Sequence, residues 1–319
     1  DCEYSRRLRE RDSAEQSTFM NSDDCVSSHV RLLLKHRFDI GGQKEGGKAV
    51  FKYIVKRILS IVVTLLIVCS LTFFMMKVIP GGPFTGEKNL PDSVLEALNE
   101  KYHLNDPILK QYTDYMKGVF TFKMGPSFKK VGVNVEDIIS ESFPVSARLG
   151  GVTLVIILLC GIPMGILAAL KRGKWQDYLV TVIATLGIAV PTFVTGSLML
   201  YIFGAKLGWI PTYGFDTWKH YIGPCIALAA FSMAFVMRLT RSSMLDVMGQ
   251  DYIRTAKAKG LPRRKVIFKH GLKNALIPVV TYVGPMTAGL MSGSFVIEKI
   301  FAIPGMGKFY VEAINNRDY

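Results

Sequence analysis

Runs free of Asp, Glu, Lys and Arg set the pattern of this chain. They lie at about 58–77, 149–170, 178–205, 221–238 and 274–297, with Lys77 and Arg238 closing the first and fourth. A bilayer core needs about 20 apolar residues per helix. A charge at a helix centre costs about 2.5–3.5 kcal/mol on insertion scales. Five such runs predict an all-α, polytopic helical membrane protein. The fourth is the shortest. Alone it would suit a buried core helix; beside its neighbours it reads as a span.

Between the first two runs, loop 78–147 is too long for a simple hairpin and should carry structure. Its stretch "PDSVLEALNEKYHLNDPILKQYTDYMKGVF" reads as helical. Pro91 suits a helix start, with Val94, Leu95 and Leu98 on one face. Asn105-Asp106-Pro107 breaks the pattern, and Gly125-Pro126 marks a turn. Such a loop serves either as a docking surface for an external partner or as a cap on the bundle.

The chain has 319 residues, 50% of them hydrophobic, and a formal net charge of +14. Basic excess in a soluble protein suggests nucleic acid; in a membrane protein it marks cytoplasmic loops. Segment 238–273 holds ten basic residues against only Asp246 and Asp251. Lys52, Lys56 and Arg57 precede the first span, and Lys171, Arg172 and Lys174 follow the second. With five spans, these three clusters share one side. The positive-inside rule puts that side, with the N-terminus, in the cytoplasm. The C-terminus would then lie outside. No span centre carries an ionisable residue, which argues against a proton- or sodium-coupled carrier. The five cysteines show no CxxC or metal spacing, so neither a disulfide framework nor a metal site is expected.

Prolines and glycines interrupt the runs. Pro191, Pro278 and Pro285 are the candidates for helix kinks, since a mid-helix proline removes a backbone hydrogen bond. A bent bundle around a translocation path and ordinary packing through small residues both fit.

Residues 243–273 read as a short helix, a fixed bend and a second helix at the membrane surface. Gly260 suits a C-terminal cap with positive φ, and Pro262 the first turn of the next helix. Ala256 and Ala258 are small enough to let a helix sit deep in another protein's groove. Three uses compete: a basic loop held on anionic lipid, a nucleic-acid contact, and a helix that couples the bundle to a cytoplasmic motor. The absence of stacking aromatics disfavours nucleic acid.

"QDYIRTAKAKGLPRRKVIFKHGLKNALIPV" closely resembles the cytoplasmic EAA loop of permeases from ATP-driven (ABC) importers, in its dipeptide/oligopeptide form. "KIFAIPGMGKFYVEAINNRDY" at 299–319 and "FKYIVKRILSIVVTLLIVCSLTFFMMKVIPGGPF" near the start are similar to the same branch. Arg254-Thr255-Ala256 stands where Glu-Ala-Ala is usual, and Lys273 falls near the usual late proline; Gly260 is kept. The resemblance implies the transmembrane domain of a type I importer and a first-permease subunit for peptides. It implies partners: a second homologous permease, two cytoplasmic ATPases and an extracellular peptide-binding protein. It assigns Asp251, Tyr252, Arg254, Thr255, Ala256, Ala258, Gly260 and Leu261 to the surface that docks on the ATPase. No P-loop pattern occurs in the chain, so ATP would be used by the partner and no cofactor is expected here.

The resemblance covers about 50–319, and the family also implies a sixth span after position 319. "KEGG" at 44–47 can be encoded by a purine-rich string like a bacterial ribosome-binding site, at suitable spacing before Val50. The polar segment 1–49 is expected to be a disordered tail or to precede the native start at Val50. Nickel and glutathione permeases share these motifs and remain alternatives. A channel or secondary carrier with a lipid-bound basic loop is the alternative from another class.

Overall fold

The computed structural model describes residues 46–78, 84, 92–130, 132–316 and 318. The expectation for 1–49 therefore lies outside the described residues, apart from 46–49. The chain forms two compact units, one ending at Thr72 and the other beginning at Phe73. The first holds most of helix α1, Gly46–Val78, apolar on every side beyond Arg57. Its hydroxyls donate back along the helix, Thr64 to Ser60 O, Ser70 to Leu66 O and Thr72 to Val68 O, at 2.7–2.8 Å. A helix in hydrocarbon must satisfy its polar groups internally, and these do.

In the second unit, α2 (Asp92–Lys101) and α3 (Ile108–Thr121) fill the loop where helices were expected. Asp106-Pro107 separates them, and Lys110 binds Asp106 at 2.8 Å. The hydrogen bond from Lys110 holds the Asp106 carboxyl below the usual carboxylate range. Phe73 is buried and meets Tyr112 edge-on at 5.4 Å. A turn at Gly125 (φ +92°) then leads into α4, Val135–Leu170. The loop is thus shorter than 78–147. Residues 135–148 belong to the helix, because Asn134 and Asp137 form a capping box that starts it well before the apolar run.

The third run is not one straight span. It divides into α5 (Trp175–Ala189) and α6 (Thr192–Met199), the latter continued by a π-helix, Leu200–Lys206. The two halves are bent by 100°. Pro191 stands at the break as the N-cap of α6, where its missing N–H costs nothing. The fourth run lies inside α7, Lys219–Met248. The fifth is interrupted as well. Helix α11 covers Ile277–Met291 and stops before Gly293 (φ +93°), and α12, Phe295–Ile300, follows. Pro278 therefore lies in the first turn of α11, two residues after the break at Leu276, while Pro285 lies inside the helix. Helix α13 runs Met306–Asn316. Among the described residues four helical stretches are long and apolar enough to cross a membrane, and the bent pair makes a fifth. The only β feature described is an isolated bridge between Pro126 and Asn134.

Glycines set how closely these helices approach. A Cβ on Gly165 of α4 would lie 2.6 Å from Thr240 Cβ and 2.7 Å from Met237 O of α7. One on Gly187 of α5 would lie 2.7 Å from Ala230 O. With no water to expel, membrane helices associate through such close packing. Around it sit Ile157, Val236 and Val279, then Val180, Ala184 and Met237, all buried.

Two polar clasps tie the bundle at its ends. At one end Asp177 of α5 takes a two-pronged grip from Arg241 of α7, with Nε at 2.6 Å and Nη2 at 2.9 Å. The Gly173 N–H also donates to this carboxylate, at 3.0 Å. At the other end Glu298 is fully buried. It accepts from Ser146 Oγ at 2.8 Å, Ser294 N at 3.2 Å and Gly307 N at 2.6 Å. Ser146 Oγ in turn accepts from Met306 N at 2.9 Å. This knot fastens α12 and α13 to α4, and a Cβ on Gly305 would fall 2.5 Å from the carboxylate.

Asp177 is nearly enclosed, so removing its charge leaves Arg241 without a matching partner. Asp177→Asn should cost about 3 kcal/mol of stability in the purified chain. Adding Arg241→Gln should return part of that, with a coupling of about 1 kcal/mol or more in denaturant titrations. Strictly additive losses would mean the two residues act independently.

Candidate functional site

Between α7 and α11 the chain makes the short helix α8, Asp251–Ala258. It starts as expected from Gln250, in extended conformation, with Asp251 in the first turn, where a carboxylate suits the helix dipole. It ends at Lys259, and Gly260 follows at φ +72°. A left-handed residue after a helix is most easily a glycine, which is the role the sequence suggested. Pro262 sits one step earlier than expected. It is the N-cap of α9, Arg263–Lys265, with ψ at 141°. The chain continues as a π-helix, Val266–Leu272, then α10, Lys273–Ala275. The second half of the hinged segment thus leads into the last span and is not a separate surface helix.

The two sides of α8 differ. Ile253 and Ala256 are buried against Val266, with Met248 and Leu261 packed on them. Tyr252, Arg254, Thr255, Ala258 and Gly260 are exposed, as is Asp251. Ala256 was expected to face a partner's groove; the structure turns it inward instead. A helical period explains this, since Ile253 and Ala256 are three apart and share a face. Leu261 is half-buried under the same face and is not part of the open surface. Of the residues singled out, Asp251, Tyr252, Arg254, Thr255, Ala258 and Gly260 remain available.

Local bonds hold the exposed face in place. Thr255 Oγ1 donates to Asp251 O at 3.0 Å, and Arg254 lies 3.5 Å from the Asp251 carboxylate. Asn274 Nδ2 donates to Tyr252 Oη at 2.9 Å, joining α8 to α10. The sequence did not single out Asn274; a lone polar residue beside an apolar run carried no signal for it. Behind α8, packing is continuous into the bundle. Val266 is followed by Ile267, which packs with Ala275, Met244 of α7 and Ala169 of α4. A Cβ on Gly271 would be 3.2 Å from Met248 Sδ. The packing of α8 is thus continuous with the ends of α4 and α7. Among the described residues no group of His, Cys, Asp and Glu could hold a metal ion.

Helix α8 is thus a short helix with one face packed inward and the other open, set between two spans. Residues 161–319 match the family described as binding-protein-dependent transport system inner membrane component. Residues 50–150 match the N-terminal part described for the same systems. The chain belongs to this family. A dipeptide transport system permease protein of Bacillus subtilis (strain 168) is 47% identical over 268 residues, covering 84% of this chain and 87% of that one. An oligopeptide transport system permease protein of Salmonella typhimurium is 44% identical, covering 84% and 88%. Among solved structures, an inward-facing MetNI methionine ABC transporter aligns over 55% of this chain and 80% of that chain, with 17% identity and a TM-score of 0.46. As an inner-membrane component of this family, the protein is a multi-pass translocation subunit.

If Ile253 anchors α8, Ile253→Ala should release it locally. Large-to-small changes in a packed cluster cost about 2–5 kcal/mol. Hydrogen exchange across 251–261 should accelerate by tenfold or more, with α4 and α7 unchanged. Unaltered exchange at 251–261 would show that the helix is held by something other than this cluster.

Proposed function

We propose that the protein is the translocation subunit of an ATP-driven importer of short peptides, with α8 as the helix that couples it to a cytoplasmic ATPase. The observation that carries this reading is the two-sided character of α8: pinned by Ile253 and Ala256, open along Tyr252, Thr255 and Ala258. The named activities of the dipeptide and oligopeptide relatives supply the substrate class.

In this reading two permeases pair, each seating its α8 in a cleft of one of two ATPases. Nucleotide binding closes the ATPases, and the closure moves α8. Val266, Ile267 and Met244 pass that movement to α4 and α7. An external binding protein delivers the peptide to the opposite face. ATP is used by the partners, and this chain binds no cofactor. Counting the bent pair α5–α6 as one crossing places the basic segments 171–174 and 238–273 on a common side. That side is the cytoplasm, together with the N-terminus. The exposed basic residues Arg263, Arg264, Lys265 and Lys269 lie beside α8, where anionic lipid would attract them.

The exposed methyl of Ala258 gives the test. Ala258→Trp should leave the fold intact, because it points away from the cluster, yet block seating in a cleft. Peptide uptake by the assembled transporter should fall at least tenfold, and the ATPase should no longer co-purify. Uptake at the wild-type rate would contradict a docking role for this face.

A further inference from the structure

The structure holds a cavity of about 610 Å³ between α4 and the start of α7. Its walls are mostly apolar, with Val152 on one side, Tyr221 on the other and Cys225 at the buried end. Two charges of opposite sign also line it: Arg148 of α4 and Asp216 in the segment before α7. Both are exposed, and among the described residues neither takes part in an ion pair, with each other or with any other group. Trp218, also lining the cavity, stands between Asp216 and the helix start, 71% exposed. This size suits a small ligand, and an apolar pocket with a few polar groups is the usual form of such sites.

We infer that this cavity holds a short peptide by its two ends. The inference rests on the reading of the chain as a peptide permease. The Arg148 guanidinium offers two parallel N–H donors, the geometry that a terminal carboxylate accepts. The Asp216 carboxylate accepts from a terminal ammonium, while the Trp218 ring already faces Lys219 Nζ at 6.0 Å and adds only apolar surface. Side chains of any type then lie on the apolar wall. A lipid tail would cover that wall but leave both charges unmatched, and a simple anion would leave Asp216 unmatched. A zwitterion with an apolar middle uses all the surfaces. The arrangement reads the termini and is indifferent to the side chains between them, which suits a carrier of varied peptides.

The test uses the assembled transporter in lipid nanodiscs with Val152→Cys as the reporter. Maleimide labelling at that position is followed by mass spectrometry of its peptide. Trialanine should slow labelling at least fivefold. Its C-terminal amide and its N-acetyl form should not, and Arg148→Gln should abolish protection by the free peptide. ATP-dependent trialanine import is measured on the same preparation. If the substituted complex imports poorly, Thr217→Cys on the opposite wall replaces it. Import without protection overturns the site and leaves the peptide reading standing. Equal protection by all three forms overturns recognition of the termini. A wild-type complex that hydrolyses ATP but imports no peptide overturns the peptide reading and the site with it.

Discussion

The close approach of α4 and α7 is the constraint on which the rest depends. Two long helices in a bilayer gain nothing from expelling water from between them. They must gain from packing, and packing needs their backbones near one another. Gly161 and Gly165 make this possible by leaving room for Val236, Met237 and Thr240. The interface that results carries the other elements. Helix α5 leans on it through Gly187 and is locked by Asp177 and Arg241. The end of α7 leads through two residues into α8, so the position of α8 follows from that of α7.

The two clasps divide the work between the ends. On the side of α8, Arg241 and Asp177 hold the short turn 171–174 to α7 a few turns from Met248. On the other side, Glu298 and Ser146 hold α12 and α13 to α4. Both are compact, and both are built from side chains distant in sequence. Between them, among the described residues, the glycine-lined seams carry no such charge pairs. The bundle is thus fastened at its ends and packed through small residues between.

Much of this was legible in the sequence. The positions of the apolar runs, the helices outside them, the bend at Gly260 and the family itself follow from period, charge and motif. The errors have physical causes. Asn134 and Asp137 start α4 in a polar stretch that a search for apolar runs cannot register. Pro191 ends one helix and begins another, whereas a search for uncharged residues sees one run. Asp177 and Glu298 stand at the edges of uncharged runs, and a charge at a run's edge carries no sign of burial. Their partners Arg241 and Ser146 are far along the chain, and only the fold brings them together. Ala256 was judged by its size, yet its orientation is decided by Ile253 one turn before it and by Val266 beyond the bend.

That orientation can be measured directly. Single cysteines at Ala256 and Ala258, in transporters purified with their ATPase, can be offered a short thiol-reactive cross-linker. The Ala258→Cys chain should cross-link to the ATPase, and the Ala256→Cys chain should not. A cross-link from Ala256→Cys as strong as from Ala258→Cys, or from neither chain, would contradict the claim that the outer face of α8 is where the motor takes hold.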